Sequence, residues 1–159
     1  MKEIAKYPSL EDKVIIITGG ASGIGVSIVE HFLQQGSKVA FLDKEKDLAK
    51  NIVEKFNDYK HTPLFKHCDL TNIDNLKKVI NEIRVELGPL SILVNNAAND
   101  ERHSIESVTE KFWDERMNVN LKHYFFAIQS VCKDMEKLGD GKIVNIGSFS
   151  WMLGQGNMP

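Results

Sequence analysis

The segment Thr18-Gly19-Gly20-Ala21-Ser22-Gly23-Ile24-Gly25 follows directly on the apolar run Val14-Ile15-Ile16-Ile17 and opens a stretch with helical apolar spacing. Glycine allows a tight turn and close approach of backbone to a ligand, and the unpaired N–H groups at the helix start beyond it suit a pyrophosphate. Thr18, Gly19, Ser22, Gly23, Ile24 and Gly25 are therefore candidate diphosphate-binding residues. A glycine cluster alone fits equally a tight strand-to-helix turn with no ligand. A second signal is Asp43, 18 residues after Gly25 and at the end of the next apolar run. A carboxylate there can accept both hydroxyls of an adenosine ribose and repels a 2′-phosphate. No Arg or Lys stands in the glycine segment, which favours NAD over NADP, although Lys44 adjoins Asp43. The alternative for Asp43 is a solvated strand-end residue.

These residues need a scaffold, and the pattern supplies one. Strands are predicted over Val14–Thr18, Lys38–Asp43, Leu64–His67, Leu90–Asn95 and Lys142–Gly147, apolar on consecutive positions as in parallel strands covered on both faces. Between them lie four helical stripes. Ile24, Ile28, Val29, Phe32 and Leu33 form the first, ended by Gly36; Leu48, Ile52, Val53 and Phe56 form the second. Leu76, Val79, Ile80, Ile83 and Leu87 form the third, capped by Thr71 or Asn72 and stopped by Gly88-Pro89. The fourth runs from near Thr109 to Leu138, with Met117, Leu121, Tyr124, Phe125, Ile128, Val131, Cys132 and Met135 facing inward. As one straight rod it would be about 45 Å long, so a break is expected near its start. The alternation predicts a single α/β domain over residues 1–159, a doubly wound parallel sheet of Rossmann type with five strands and four helices.

Composition narrows the function classes. Twenty Lys and Arg against 22 Asp and Glu give a formal charge of −2, and the interspersed charges lack the basic footprint of a nucleic-acid binder. Hydrophobic residues at 42% supply a core, which excludes a disordered chain. Cys68 and Cys132 fit neither a disulfide framework nor metal-ligand spacing, and His31, His61, His67 and His123 show no clustering, so no metal is expected. Residues Met1 to Leu10 lack the apolar stretch of a secretory signal, and no membrane span is apparent. A soluble cytoplasmic protein is the expectation.

Five pieces, taken in order, make the pattern more specific: Thr18-Gly19 through Gly23-Ile24-Gly25, Cys68-Asp69-Leu70-Thr71, Asn95-Asn96-Ala97, Asn118-Val119-Asn120 and Ile143-Val144-Asn145-Ile146-Gly147-Ser148. Their order and register resemble the short-chain dehydrogenase/reductase family across nearly the whole chain. The resemblance implies that Asp69, with the Leu70 backbone, binds the adenine, and that Asn96 and Ala97 line the nicotinamide-side ribose. Asn95 reads equally as a brace of the sheet. Ser148 matches the family's catalytic serine, which holds the substrate oxygen. Asn120 matches the asparagine that orients a relay water; its alternative is a polar residue satisfied by a private hydrogen-bond partner.

The sequence also departs from the family. Residues Phe149 to Pro159 contain neither the Tyr nor the Lys that come after the serine, and the family's last strands and substrate lid are missing. Without a phenol whose pKa an ammonium lowers, hydride transfer has no proton sink, so the 159-residue chain is expected to bind coenzyme but be inactive. An uncovered fifth strand predicts association, as a homo-oligomer. The polar loop Ala98-Asn99-Asp100-Glu101-Arg102-His103, with Ser148-Phe149-Ser150-Trp151, resembles the branch oxidising free sugars at the anomeric carbon; a merely solvated loop is the alternative, and His103 is a candidate substrate contact. Two other classes share part of the pattern. One is an S-adenosylmethionine-dependent methyltransferase, in which Asn95-Asn96-Ala97 and Ser148 have no role. The other is a nucleotide-binding or partner subunit without turnover.

Overall fold

The computed structural model describes residues 5–153, where the consecutive apolar runs become strands β1 (Val14–Thr18), β2 (Lys38–Asp43), β3 (Leu64–His67), β4 (Ile92–Asn95) and β5 (Lys142–Asn145). They form one sheet in the order β3-β2-β1-β4-β5, every pair parallel. Such strands need cover on both faces, because their side chains alternate between them. Val14, Ile16, Ala40, Leu42 and Leu93 point to one face, where α3 (Ile73–Leu87) and α5 (His123–Leu138) bring Leu76, Ile80, Ile83, Ala127 and Val131. Ile15, Ile17, Val39, Phe41, Ile92 and Val94 point to the other, under α1 (Gly23–Gln34) and α2 (Lys46–Lys55), which supply Val29, Leu33 and Ala49, with Phe56 just beyond the end of α2. The chain leaves β1 towards β2 on one side and returns to β4 on the other. That reversal opens a crevice beyond the carboxyl ends of β1 and β4.

The third helix begins as its sequence predicts, with Asn72 accepting from the Asn75 N–H at 3.0 Å. It is fixed to α5 by Arg84, whose Nε donates to both Asp134 oxygens at 3.0 and 2.8 Å and whose second terminal nitrogen donates to the Ser130 carbonyl at 2.7 Å. In place of the expected break, the fourth helical stretch continues from α4 (Glu110–Met117) through a single π turn, Asn118–Lys122, into α5. A π turn adds a residue to the turn, so the helical faces on its two sides are rotated out of phase. Five inward assignments need correction, three of them in this stretch. Met117, Leu121 and Phe125, expected to be inward, join Trp113 in an exposed stripe, while α5 buries Tyr124, Ala127, Val131 and Met135. Ile24 and Leu48 are exposed too; in α2 the buried place belongs to Ala49.

A short helical turn, α6 (Ser150–Leu153), comes after β5. Among the described residues β5 pairs only with β4, and all four of its residues are exposed. No helix among the described residues is long and apolar enough to cross a membrane.

Candidate active site

The glycine segment turns over the carboxyl end of β1 and is tied down from three directions. Gly19 N–H donates to the Leu42 carbonyl at 2.7 Å. The Asn96 side-chain amide donates to the carbonyls of Thr18 and Gly19 at 3.0 and 3.1 Å. Asp43 accepts the Ala21 N–H at 2.9 Å on one oxygen and the Glu45 N–H at 3.0 Å on the other. A Cβ at Gly25 would run into the Gly19 carbonyl, so the first turn of α1 can fold against the loop only with glycine there.

The open side of the turn fits a dinucleotide. Ser22 stands at the N-cap of α1, yet its side chain makes no capping bond, leaving the first helical N–H groups available to an anion. Gly23, at φ +53°, would point a Cβ into open space. Ile24 is 67% exposed beside it, an apolar group at the mouth of a crevice that a bound ligand would cover. Asp43 keeps further lone pairs for ribose hydroxyls, since a carboxylate offers about four acceptor positions.

Asp69 lies next along this edge, brought beside Asp43 by the bond from Cys68 N–H to the Asp43 carbonyl at 3.0 Å. The Thr71 hydroxyl and N–H donate to one Asp69 oxygen at 2.7 and 2.9 Å. The hydroxyl bond above all, then the N–H, with Lys44 and His67 nearby, holds the Asp69 carboxyl below its ordinary pKa. Leu70 is buried beneath it. Burial pushes the Cys68 thiol up to about 11, which makes it an unreactive part of the core.

The carboxyl end of β4 supplies the other wall. Thr18 Oγ1 accepts the N–H groups of Asn96 and Ala97 at 3.0 and 3.1 Å. Asn95 is fully buried and donates to Asn145 Oδ1 of β5 at 2.9 Å, a brace between strands. The side-chain N–H groups of Asn96 are given over to the glycine turn, so toward a ligand this segment offers chiefly backbone and the Ala97 side.

Asn120 lies in the π turn and is locked to the loop beyond β4. Its Oδ1 accepts the Asn99 N–H at 2.8 Å and its Nδ2 donates to the Asn99 carbonyl at 2.9 Å. The private partner that the sequence leaves open for it is thus the Asn99 backbone. The same loop is held by Arg116, which donates to Glu101 at 3.1 Å, and by the His103 ring on Phe112 at 4.7 Å. Ser148 leaves β5 exposed, its hydroxyl donating to Ser150 Oγ at 2.7 Å while accepting the Ser150 N–H at 3.1 Å. The coenzyme candidates Thr18 to Gly25, Asp43, Asp69, Asn96 and Ala97 converge on one crevice, whereas no hydrogen bond joins Ser148 to Asn120 among the described residues. The Trp151 side chain and residues 154–159 lie outside the described part.

His123 carries no functional signal in the sequence. It is fully buried at the floor of the crevice, its Nε2 3.5 Å from Thr18 Oγ1 and its ring edge-on to Tyr124 at 4.5 Å. Burial holds its pKa down to about 4 from 6.5, partly offset by the Val119 carbonyl. Between those pH values the unfolded chain binds a proton that the folded chain does not, so stability rises with pH across the window and is lost as pH falls through it. About 3 kcal/mol is at stake. Urea unfolding from pH 4 to 7 is expected to show that slope, and His123→Gln to flatten it; a slope unchanged in the variant would assign the effect to other groups.

A broad cleft of about 810 Å³ opens at the amino ends of the strands, between the N-terminal arm at Lys6-Tyr7 and residues Tyr59 and Lys60. Lys60 there is paired with Glu11 and Asp12. The cleft is remote from the convergent strand ends and holds none of the candidate residues.

Comparison with known proteins agrees with this fold. The family model described as short chain dehydrogenase matches residues 13–158, and the chain belongs to that family. It is 44% identical over 150 residues to D-xylose 1-dehydrogenase of Caulobacter vibrioides, covering 94% of this chain and 59% of the relative. It is 40% identical over 156 residues to a probable galactose dehydrogenase, GalD, of Rhizobium meliloti, covering 98% and 60%. An NAD-dependent glycerol dehydrogenase of Listeria innocua is 35% identical over 140 residues, covering 88% and 54%. Among solved structures, gox2181 superposes with a TM-score of 0.84 at 28% identity, covering 89% of this chain and 56% of that one. The chain thus spans about three-fifths of the length of the sugar dehydrogenases it matches.

Proposed function

We propose that this protein is an NAD-dependent oxidoreductase acting on a sugar or other secondary alcohol. The observation that carries the reading is the Asp43 carboxylate, which accepts the Ala21 N–H and so lies directly against the glycine turn, where an acid suits the hydroxyls of an adenosine ribose. Gly23, Ile24 and the uncapped start of α1 hold the diphosphate, Asp43 the adenosine ribose, Asp69 and Leu70 the adenine, and Asn96-Ala97 the far ribose. The bound coenzyme supplies the hydride acceptor. On the substrate side, Ser148 holds the reacting oxygen, and Asn120 fixes the polar loop from Ala98 to His103 over it. The two sugar dehydrogenase relatives and this loop together favour an aldose, oxidised at the anomeric carbon to a lactone.

Fluorescence titration tests the coenzyme assignment. NADH is expected to bind, NADPH about tenfold more weakly or worse, and S-adenosylmethionine not at all; Asp43→Asn is expected to lose about tenfold for NADH and to narrow the preference. Preferential binding of S-adenosylmethionine, or an unchanged NADH affinity in the variant, would overturn it.

For a polypeptide confined to these 159 residues a second reading, a nucleotide-binding subunit without turnover, is favoured by where the tyrosines lie. Tyr7 and Tyr59 flank the cleft at the far end of the sheet, and Tyr124 spends its hydroxyl on the Ile146 carbonyl at 3.1 Å. Either way a polypeptide confined to these 159 residues is expected to associate with copies of itself. The exposed Ile143 and Val144 on the β5 edge motivate this expectation. Sedimentation should show species larger than 18.0 kDa, and a clean monomer at tens of micromolar protein would contradict it.

A further inference from the structure

Thr18 Oγ1 accepts two backbone N–H groups, from Asn96 and Ala97, which occupy both of its lone pairs. Its own proton still needs an acceptor, because a buried hydroxyl left unpaired is costly. Beyond those two N–H donors, its partner among the described residues is His123 Nε2, at 3.5 Å. An Nε2 carrying hydrogen would aim a third donor at an oxygen already saturated. A proton on Nδ1 avoids that conflict, and the acceptor that acts on the ring from its own helix is the Val119 carbonyl, outside ideal hydrogen-bond geometry. His123 also stands three positions after Asn120, just beyond the π turn, so one turn of helix reaches two targets. Asn120 takes the loop beyond β4, and His123 takes the end of β1.

We propose that His123, as the Nδ1–H tautomer, is a positioning residue of the coenzyme crevice: it accepts the Thr18 hydroxyl proton and thereby keeps Thr18 aligned on the Asn96 and Ala97 amides. It touches no reacting atom. Its effect passes through Thr18 to the β4 segment that forms the nicotinamide-side wall. The proposal rests on the coenzyme reading above for its consequence, but not for its geometry.

Two readouts separate these. In the unliganded chain, long-range ¹⁵N–¹H correlation of the His123 ring at pH 7 should show a protonated Nδ1 and an unprotonated Nε2, with the Nε2 shift moving in Thr18→Val and returning in Thr18→Ser. A protonated Nε2, or a signal indifferent to Thr18→Val, overturns the proposal. In NADH titration, His123→Leu should weaken binding about tenfold while His123→Gln, whose side-chain oxygen can reach the same proton, restores most of it. In Thr18→Val the His123→Leu change should then cost little more, because the two act on one bond. Equal losses for Leu and Gln, or additive losses, count against it. If wild type binds no NADH while the ring signals behave as stated, the functional reading fails and the tautomer assignment stands.

Discussion

Replacing Gly25 by valine is expected to abolish measurable NADH binding and to lower stability by about 2–4 kcal/mol. Any Cβ at this position meets the Gly19 carbonyl oxygen and carbon, and lies 2.9 Å from Asn96 Nδ2. The colliding oxygen is backbone, held in place by the Asn96 amide, and cannot swing aside as a long side chain could. Relief requires the turn to open, which breaks the bonds from Asn96 to Thr18 and Gly19 and displaces the N-terminal turn of α1 from the crevice. Gly147→Ala is the matching control. A Cβ there meets nothing within 4 Å, so stability should change by no more than about 0.5 kcal/mol. Urea unfolding with NADH titration of both variants checks the pair, and normal binding by Gly25→Val would show that the turn is not the diphosphate seat.

A polypeptide confined to these 159 residues is expected to bind NADH yet oxidise D-xylose or D-galactose at least about 10³-fold more slowly than a longer polypeptide carrying a Tyr and a Lys at the family's positions after Ser148. Removing a hydride from an alcohol carbon also requires a base for the hydroxyl proton. A serine hydroxyl and a side-chain amide, the groups present at Ser148 and Asn120, do not accept that proton at neutral pH. Tyr124 cannot substitute: burial raises its pKa, and its hydroxyl is committed to the Ile146 carbonyl. His123 is enclosed beneath Thr18. Steady-state NADH formation measures the difference. Turnover by the 159-residue polypeptide at rates typical of enzymes would mean that another group in the crevice serves as base.

Much of this crevice is legible in the amino-acid sequence. Strand identity comes from runs such as Val14–Ile17, because parallel strands covered on both faces have no polar side to interrupt the apolar pattern. The pairing of Gly25 with Asp43 is readable because a fixed βαβ geometry sets the distance between them in sequence. Helix faces are less legible where local geometry departs from a regular helix. Met117, Leu121 and Phe125 share the apolar period of the fourth stretch, but the π turn at Asn118–Lys122 shifts its phase and turns them outward. Ile24 keeps the period as well, yet the first turn of α1 faces the crevice rather than the sheet.

Hydrogen-bond partners are the least legible. The Asn96 amide closing on Thr18 and Gly19, and the Asn120 amide closing on Asn99, join residues 77 or 78 and 21 positions apart through tertiary contact alone. The place of His123 is hard to read because a lone histidine fits no metal-ligand or catalytic spacing. Two clues exist: its offset of three from Asn120, and a Thr18 hydroxyl at a buried strand end that has to find an acceptor.

Whether the crevice beyond β1 and β4 seats a nicotinamide dinucleotide is tested most directly by amide shift mapping of the ¹⁵N-labelled chain on addition of NAD. The largest perturbations should fall on Ser22, Gly23, Ile24, Asp43, Leu70 and Ala97, with the cleft around Tyr7, Tyr59 and Lys60 unmoved. Perturbations confined to that cleft, or none anywhere in a folded sample, would contradict the coenzyme assignment.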